Sequence, residues 1–449
     1  MSRSYIDFDC EFSFSPVRVG SMKPASRIKA TIEILSSTHR SRVPLDKCVG
    51  DYMRVRRYIG SKDRSNIAER IYDITRAHAR LGWWLERVKH EDTPRARVMA
   101  WVILGEQADE KRLKDLFDGS RYAPESPSDD ELDFARKLIG QPLMRKDMPE
   151  HVLVECPPEH ESLLRARFGD DFAEEMNAML QPAPLDLRVN GFLADKEKVM
   201  AYLKADGVKV NETALCPWAL RCESKAYLSR TKAFAKGWVE IQDEGSQLIA
   251  WLCDAQPGMQ VLDYCAGAGG KTLALATAMQ RKGRIVAMDT DERRLEKGRK
   301  RYRKAGVADI IELRSLSDEK QHKWLKRQKG KFDVVLIDAP CSGSGTWRRN
   351  PDMRWQTYGP ALEELTVIQA QILDQAHKCV KPGGRLVYAT CSLFDAENED
   401  QITRFLEQYP DFEIYSLDKS LGLGHPYMRL SPLRHKTDGF FAAVLRRKA

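Results

Sequence analysis

The stretch Phe332–Asp352, FDVVLIDAPCSGSGTWRRNPD, passes from core to chemistry within a few residues. Phe332, Val334, Val335, Leu336 and Ile337 form an apolar, β-branched run of strand length. Such a run predicts a strand buried on both faces of a parallel sheet. Asp338-Ala-Pro-Cys-Ser then breaks it. A carboxylate and a thiol therefore stand at the strand's carboxyl end, where open α/β sheets hold their ligands. Gly343, Ser344 and Gly345 follow as a flexible loop, and Arg348 and Arg349 are expected to put paired positive charge at its rim. Cys341 alone would read as a small buried hydrophobe. Beside Asp338 at a strand end it reads as functional.

Strands and helices alternate from about Trp238 onward, the mark of a doubly wound α/β sheet. Expected strands are Gln260–Tyr264, Arg284–Met288, Ile310–Leu313, Phe332–Ile337, Arg385–Ala389 and a late one at Gly439–Leu445. Expected helices are Gly245–Cys253, Lys271–Met279, Asp291–Ala305, Ala361–Val380 and Asn398–Tyr409. The 449 residues exceed one ordinary domain. The pattern divides into an arm over 1–23 without usable periodicity, a helical domain over 24–145, a small α+β module over 146–237, and the α/β domain over 238–449.

In the helical segment Ile28, Ile32 and Leu35 share one face, as do Ile67, Ile71 and Ile74, and Ser65 or Asn66 is expected to cap the second helix. Trp83, Trp84 and Trp101 read as core rather than base-stacking platforms. The cluster Arg54, Arg56, Arg57, Lys62 and Arg64 reads equally as a phosphate contact or a solvated helix end. In the module, Pro182–Asn190 reads as a turn feeding a strand, Lys196–Ala205 is a helix, and Ser229, Arg230, Lys232 and Lys236 form a basic stripe.

No apolar run approaches the length of a membrane span, and the N-terminus lacks a secretory pattern, so no membrane partner is expected. The excess of 73 Lys and Arg over 65 acids, net +8, permits a polyanionic partner without demanding one. The ten Cys contain no CxxC pair, which suggests neither a disulfide framework nor a zinc ribbon, and a reducing cytoplasm fits best.

After the first strand of the α/β domain comes Asp263-Tyr-Cys265-Ala266-Gly267-Ala268-Gly269-Gly270-Lys271-Thr272. A phosphate-cradling P-loop needs Gly where Cys265 stands, and a dinucleotide loop needs Gly where Thr272 stands. An acid followed by small residues and alternate glycines instead fits S-adenosylmethionine, whose cationic sulfonium and amino-acid tail want close backbone and a carboxylate. Asp289, about twenty residues past Gly269, stands where an acid accepts ribose hydroxyls.

The strand Arg385–Ala389 also runs into a cysteine, Cys391, and it is expected beside the strand that carries Cys341. A disulfide or a metal pair are the alternatives; the compartment argues against the first, and no His or third Cys has spacing for the second. Two thiols beside a methyl donor suit methylation of an unreactive ring carbon. Thiolate addition at carbon 6 of a pyrimidine makes carbon 5 enamine-like, and a carboxyl such as Asp338 stabilises the charge that develops. Spacing does not say which thiol attacks and which assists release.

DYCAGAGGKT, DAPCSGSGTWRRNPD and YATCS, with GWVEIQDEGSQL upstream and DGFFAAVL near the end, resemble the Nol/Nop/Sun (RsmB-like) family of S-adenosylmethionine-dependent RNA cytosine-5 methyltransferases, over roughly residues 150–449. SKDRSNIAERIYDITR resembles the NusB-like helical domain attached to bacterial members of that family. The resemblance implies a Rossmann-like class I methyltransferase sheet acting on RNA, above all ribosomal RNA. It implies Cys391 as nucleophile on carbon 6 and Cys341 as promoter of product release. Cys265 to Lys271, Asp289 and Arg294 would hold the cofactor, and Asp338 and Lys271 would contact the cytosine and the cofactor edge. In one place the sequence departs. Ile311-Glu-Leu-Arg-Ser-Leu-Ser-Asp318 lacks the family's acid directly after the third strand, so the adenine contact is unassigned. Two rivals stand beside this reading: a DNA cytosine-5 methyltransferase using a Pro-Cys nucleophile, and an RNA-binding assembly factor without turnover.

Overall fold

The computed structural model describes residues 21–41 and 43–449, so most of the expected arm lies outside the described residues. The chain forms two compact units, one ending at Arg145 and the other beginning at Lys146.

In the first unit the described residues form seven α-helices: Pro24–Ser41, Leu45–Val55, Ser61–Arg76, His78–Arg87, Pro94–Leu104, Glu110–Leu116 and Asp129–Leu138. Ile67 and Ile71 meet Ile34 in its core. Of the face expected on the first helix Ile28 is buried, whereas Ile32 and Leu35 are half-buried, because the buried face turns through Thr31 and Ile34. The third helix starts four residues before the expected caps, so Ser65 and Asn66 lie inside it. Its anchor is the buried Asp63, which accepts from Met22 N and from Arg27 Nη1, both at 3.0 Å. Trp84 is core, with Nε1 donating to Leu143 O at 3.1 Å, whereas Trp83 and Trp101 are only half-buried. Of the basic cluster, Arg54 pairs with Asp51 and Arg56 covers the Tyr52 ring at 3.7 Å, while Arg57 and Lys62 are exposed. No helix among the described residues is long and apolar enough to cross a membrane.

The second unit holds two sheets. The smaller is antiparallel in the order β2-β3-β1-β4, built from β1 (Asp186–Val189), β2 (Val210–Glu212), β3 (Ala219–Cys222) and β4 (Val239–Ile241). The helix Lys196–Ala205 covers it, with Val199 and Leu203 buried and Asp195 capping. This small layer is keyed to the larger one by two buried polar side chains. Arg188 Nη1 donates to Gly270 O at 2.8 Å, and Asn190 Nδ2 bridges Gly237 O and Ala305 O at 3.1 and 3.2 Å.

The larger sheet comprises β5 (Gln260–Asp263), β6 (Arg284–Asp289), β7 (Ile311–Ser315), β8 (Phe332–Asp338), β9 (Val380–Thr390), β10 (Phe412–Ile414), β11 (Met428–Leu430) and β12 (Phe440–Arg447). Its order is β7-β6-β5-β8-β9-β12-β10, with β11 on β12. The run β7 to β9 is parallel and β12 enters antiparallel. Successive residues of the central strands point into opposite cores. Val261, Val334, Leu336 and Val387 join one cluster, and Leu262, Val335, Ile337 and Tyr388 the other. This is a Rossmann-like methyltransferase sheet.

Several expected boundaries move. The helix expected over Ala361–Val380 stops at Ala376, and a 3₁₀ turn His377–Cys379 leads into β9. The His377 ring is held among Phe405, Tyr409 and Phe412, and Val380 already pairs with Phe332. β9 therefore begins five residues earlier than Arg385, through Pro382 and two glycines. The helix Glu319–Lys326 and the three-residue β10 and β11 have no counterpart in the sequence reading.

Candidate active site

β5 and its neighbours β6 and β8 end in acids: Asp263, Asp289 and Asp338. Between Asp263 and the helix Gly270–Ala278 runs the loop Tyr264–Gly269. Ala266 N donates to Met288 O at 2.8 Å, and Gly269 N donates to Ala266 O at 2.8 Å, closing the turn. Ala268 O and Gly270 O accept from Arg301 and Arg188, at 2.9 and 2.8 Å. The buried Asp289 organises the loop: Oδ2 accepts from Gly267 N at 2.7 Å and Oδ1 from Asp291 N at 2.8 Å. Each carboxylate oxygen retains a second lone pair for a hydroxyl. Arg294 lies against the same loop, its Nη2 2.8 Å from where a Cβ on Gly267 would stand.

Gly269 is required twice over. Its φ is +77°, and a Cβ there would stand 1.6 Å from Tyr302 Oη. Gly269→Ala should therefore cost about 1–3 kcal/mol of stability and displace the loop, seen as a lower Tm and weaker cofactor binding.

Lys271, in the first turn of Gly270–Ala278, donates from Nζ to Asp338 Oδ2 at 2.7 Å. Burial opposes its charge, but the Asp338 carboxylate outweighs burial and holds the ammonium above its usual range. Asp338 keeps 32% of its side chain exposed. Asp263 is fully buried, with Oδ2 accepting from Thr272 Oγ1 at 2.6 Å and Oδ1 without a partner. Burial pushes its carboxyl up to about 7, helped by the charges of Asp338 and Asp289 and opposed by Thr272 and Lys271. Cys265 is pushed well up, first by burial and then by the three acids, so it sits in the loop wall as a neutral thiol.

β8 and β9 pair in register, Asp338 opposite Ala389, and each runs on into its cysteine. The sulfurs of Cys341 and Cys391 lie 3.5 Å apart, as free thiols. The hydrogen bond to Cys391, followed by burial, pushes the Cys341 thiol well above its ordinary range. Gly345 N donates to Cys391 O at 2.9 Å and Gly439 N to Gly345 O at 2.8 Å, so the Cys341 loop is strapped to β9 and to the entry of β12.

Arg348 and Arg349 do not form an open positive rim. Arg348 is 5% exposed, and both guanidiniums bind Asp438 and Asp243. Their charge is neutralised inside the protein, where a buried guanidinium needs such partners. Asp243 and Asp438 were invisible as site residues because each closes the network from a distant segment. Asp318, past the third strand, caps the helix Glu319–Lys326, accepting from Lys320 N at 2.9 Å. The sequence reading also passed over Gln369, Glu397 and Asn398. Gln369 carries no signal, and that of Glu397 and Asn398 is the polar run Glu397-Asn-Glu-Asp400 just past the Thr-Cys strand, which reads equally as an ordinary acidic helix start.

Comparison with known proteins agrees with this geometry. Residues 250–446 match a family described as 16S rRNA methyltransferase RsmB/F, and residues 162–228 match the ferredoxin-like domain of RsmF/B-like methyltransferases. The ribosomal RNA small subunit methyltransferase B of Vibrio cholerae is 34% identical over 283 residues, covering 63% of this chain and 63% of the relative. The probable counterpart from Bacillus subtilis is 34% identical over 289 residues, covering 63% and 64%. The chain thus spans less than two thirds of the length of these curated relatives. Among solved structures, PH0851 superposes with a TM-score of 0.77 at 27% identity, over 95% of this chain and all of that one. A methyltransferase homologue from Pyrococcus horikoshii gives 0.56 at 26% identity, over 66% and 97%. In its loop of alternating glycines, its paired strand-end cysteines and these matches, the chain is similar to the RsmB/F ribosomal RNA methyltransferases.

Proposed function

We propose that the protein transfers a methyl group from S-adenosylmethionine to carbon 5 of a cytosine in RNA, most of all small-subunit ribosomal RNA, through a covalent bond between Cys391 and carbon 6. The observation that carries this is the pair of free thiols, 3.5 Å apart on neighbouring strand ends, beside the Lys271–Asp338 pair. The relatives' printed names support the methyltransferase reaction and the ribosomal substrate.

The residues fit the cofactor. Three carboxylates end adjacent strands and Asp263 Oδ1 lacks a partner, while Lys271 pairs with Asp338 alone, which suits a cationic ligand. Cys265 to Lys271 would wrap it, Asp289 would accept its ribose hydroxyls, and Arg294 would close the loop. When bound, S-adenosylmethionine supplies an electrophilic methyl group.

The thiol pair acts in sequence. The two thiols share a hydrogen bond in which either can donate, and with Cys341 as the donor the sulfur of Cys391 is the one left to attack. Addition forms the sulfur–carbon 6 bond and moves the ring's electron pair onto carbon 5, with Asp338 bonded to the ring edge where charge develops. Once Cys391 is a thioether, the largest influence raising the Cys341 thiol is gone, while burial and Glu397 still raise it, and Cys341 gives its proton to solvent before it serves as base. After carbon 5 has bonded the transferred methyl group, Cys341 takes the carbon 5 proton, the C–H electron pair re-forms the carbon 5–carbon 6 double bond, and Cys391 leaves as thiolate. Transfer of label from isotopically marked S-adenosylmethionine to unmodified ribosomal RNA, located at carbon 5 of cytosine, tests this. No transfer to any cellular RNA would favour the assembly-factor reading.

Cofactor binding should depend on pH. Asp263 is largely protonated below its folded pKa of about 7, and a bound cation favours its ionised form. Affinity should therefore rise with pH up to about 7, by at most about tenfold per unit, and Asp263→Asn should flatten the profile in a calorimetric titration. Stability of the cofactor-free protein runs the other way. An acid whose folded pKa is raised binds its proton more tightly folded than unfolded, so stability falls as pH climbs from about 4 to 7.

A further inference from the structure

Two adjacent residues beyond the Thr-Cys strand, Glu397 and Asn398, are fully buried, and their hydrogen bonds divide between the two cysteines. Glu397 Oε1 accepts from Ser342 N at 2.8 Å and from Gln369 Nε2 at 2.9 Å, and Oε2 accepts from Ser342 Oγ at 2.5 Å. The same Gln369 Nε2 donates to Pro340 O at 2.9 Å. Both neighbours of Cys341 are thereby held. Asn398 does the same for the other thiol: its Oδ1 accepts from Thr390 Oγ1 at 2.5 Å, and its Nδ2 donates to Ser392 O at 2.9 Å. These are the two neighbours of Cys391. The halves are tied together, since Ser342, Ser344 and Ser392 hydroxyls lie 3.2 Å from one another.

We infer that Glu397 and Asn398 are the positioning residues of the thiol pair, Glu397 setting Cys341 for release and Asn398 setting Cys391 for attack. This rests on the covalent reaction proposed above. A core that needed only filling would hold apolar side chains here, at no cost to stability. A buried carboxylate is retained only with donors around it, and three donor groups are aimed at Glu397. Those donors belong to the Cys341 loop or to the glutamine that holds it. Misplacement of a reacting group by about 1 Å costs on the order of a hundredfold in rate, so a clamp on each thiol has a direct kinetic consequence. Because the residues are adjacent in the chain, one short segment fixes both ends of the 3.5 Å sulfur separation.

The two halves predict opposite defects, which a general structural role would not produce. Glu397→Gln, Glu397→Ala and Asn398→Ala are made in the full chain, beside Cys341→Ala and Cys391→Ala. Each is mixed with unmodified small-subunit ribosomal RNA and cofactor, and adduct is read as a denaturant-resistant shift on a gel. Glu397→Ala should accumulate adduct as Cys341→Ala does, with Glu397→Gln intermediate because it keeps the shape and one acceptor oxygen. Asn398→Ala, placed in the Cys341→Ala background, should slow adduct formation by at least about tenfold. Thermal unfolding confirms that each variant is folded, and the Gln variant keeps the test open if the Ala variant is not. Folded Glu397 variants without adduct, or equal slowing of both steps by both residues, would overturn the inference. If Cys341→Ala itself traps nothing, the covalent reaction fails instead, a separate result.

Discussion

Cys391→Ala should abolish methylation, and Cys341→Ala should leave the protein bonded to its RNA. Removing a covalent nucleophile typically costs at least about 10⁴-fold in rate, so Cys391→Ala should show no product and no adduct. Neither substitution should cost more than about 1 kcal/mol in stability, because each thiol is partly exposed and a methyl group fills most of its space. Loss of Cys341 removes the base for the carbon 5 proton after the sulfur–carbon bond has formed, so material collects at that step. The reverse pattern, adduct with Cys391→Ala alone, would make Cys341 the attacking thiol and bring back the DNA-type arrangement. Retention of most activity by Cys391→Ala would remove the nucleophile assignment altogether.

Asp338→Asn should lower the single-turnover rate by about 10²–10³-fold while cofactor affinity changes only a few-fold. The amide keeps the shape but loses the charge that offsets Lys271. Burial then dominates, and the lysine falls below its present raised pKa. Lys271→Met should be the more damaging to the fold, since it leaves the Asp338 carboxylate facing two other acids at the strand ends. A rate loss that disappears at saturating cofactor would instead make Asp338 a cofactor residue only. Single-turnover assays at several cofactor concentrations separate these outcomes.

Much of this site is legible in sequence because its parts are local. The run from Val334 to Ile337 announces a strand buried on both sides, and the residue that ends it is the first one free to carry chemistry. The loop from Asp263 to Lys271 is read the same way, because glycine at a left-handed position and an acid at a strand end are properties of single residues. The misses are of another kind. Arg348 and Arg349 look like open charge until Asp243 and Asp438 arrive from segments about a hundred residues away on either side. Glu397 and Asn398 look like an ordinary helix start until the chain folds back on the Cys341 loop. β9 hides its first five residues behind Pro382-Gly-Gly, which local propensity reads as a turn; pairing with β8 overrides it. What escapes the sequence is polar pairing across long separations, where hydrophobic periodicity carries no signal.

The place of β12 in the sheet has a consequence for biosynthesis. β12 is made after both cysteines, yet it lies between β9 and β10, pairing with six residues of β9 from Arg385 to Thr390. Just before it, Gly439 straps the Cys341 loop and Asp438 closes the arginine network. A nascent chain that has already produced both cysteines therefore lacks the segment that brings them into working order. Until translation passes about Leu445, β9 has an open edge and its thiol lacks a fixed partner. The two thiols are brought to their observed separation only once β12 has been made, so a product terminated between Cys391 and β12 would carry both thiols without the segment that sets them.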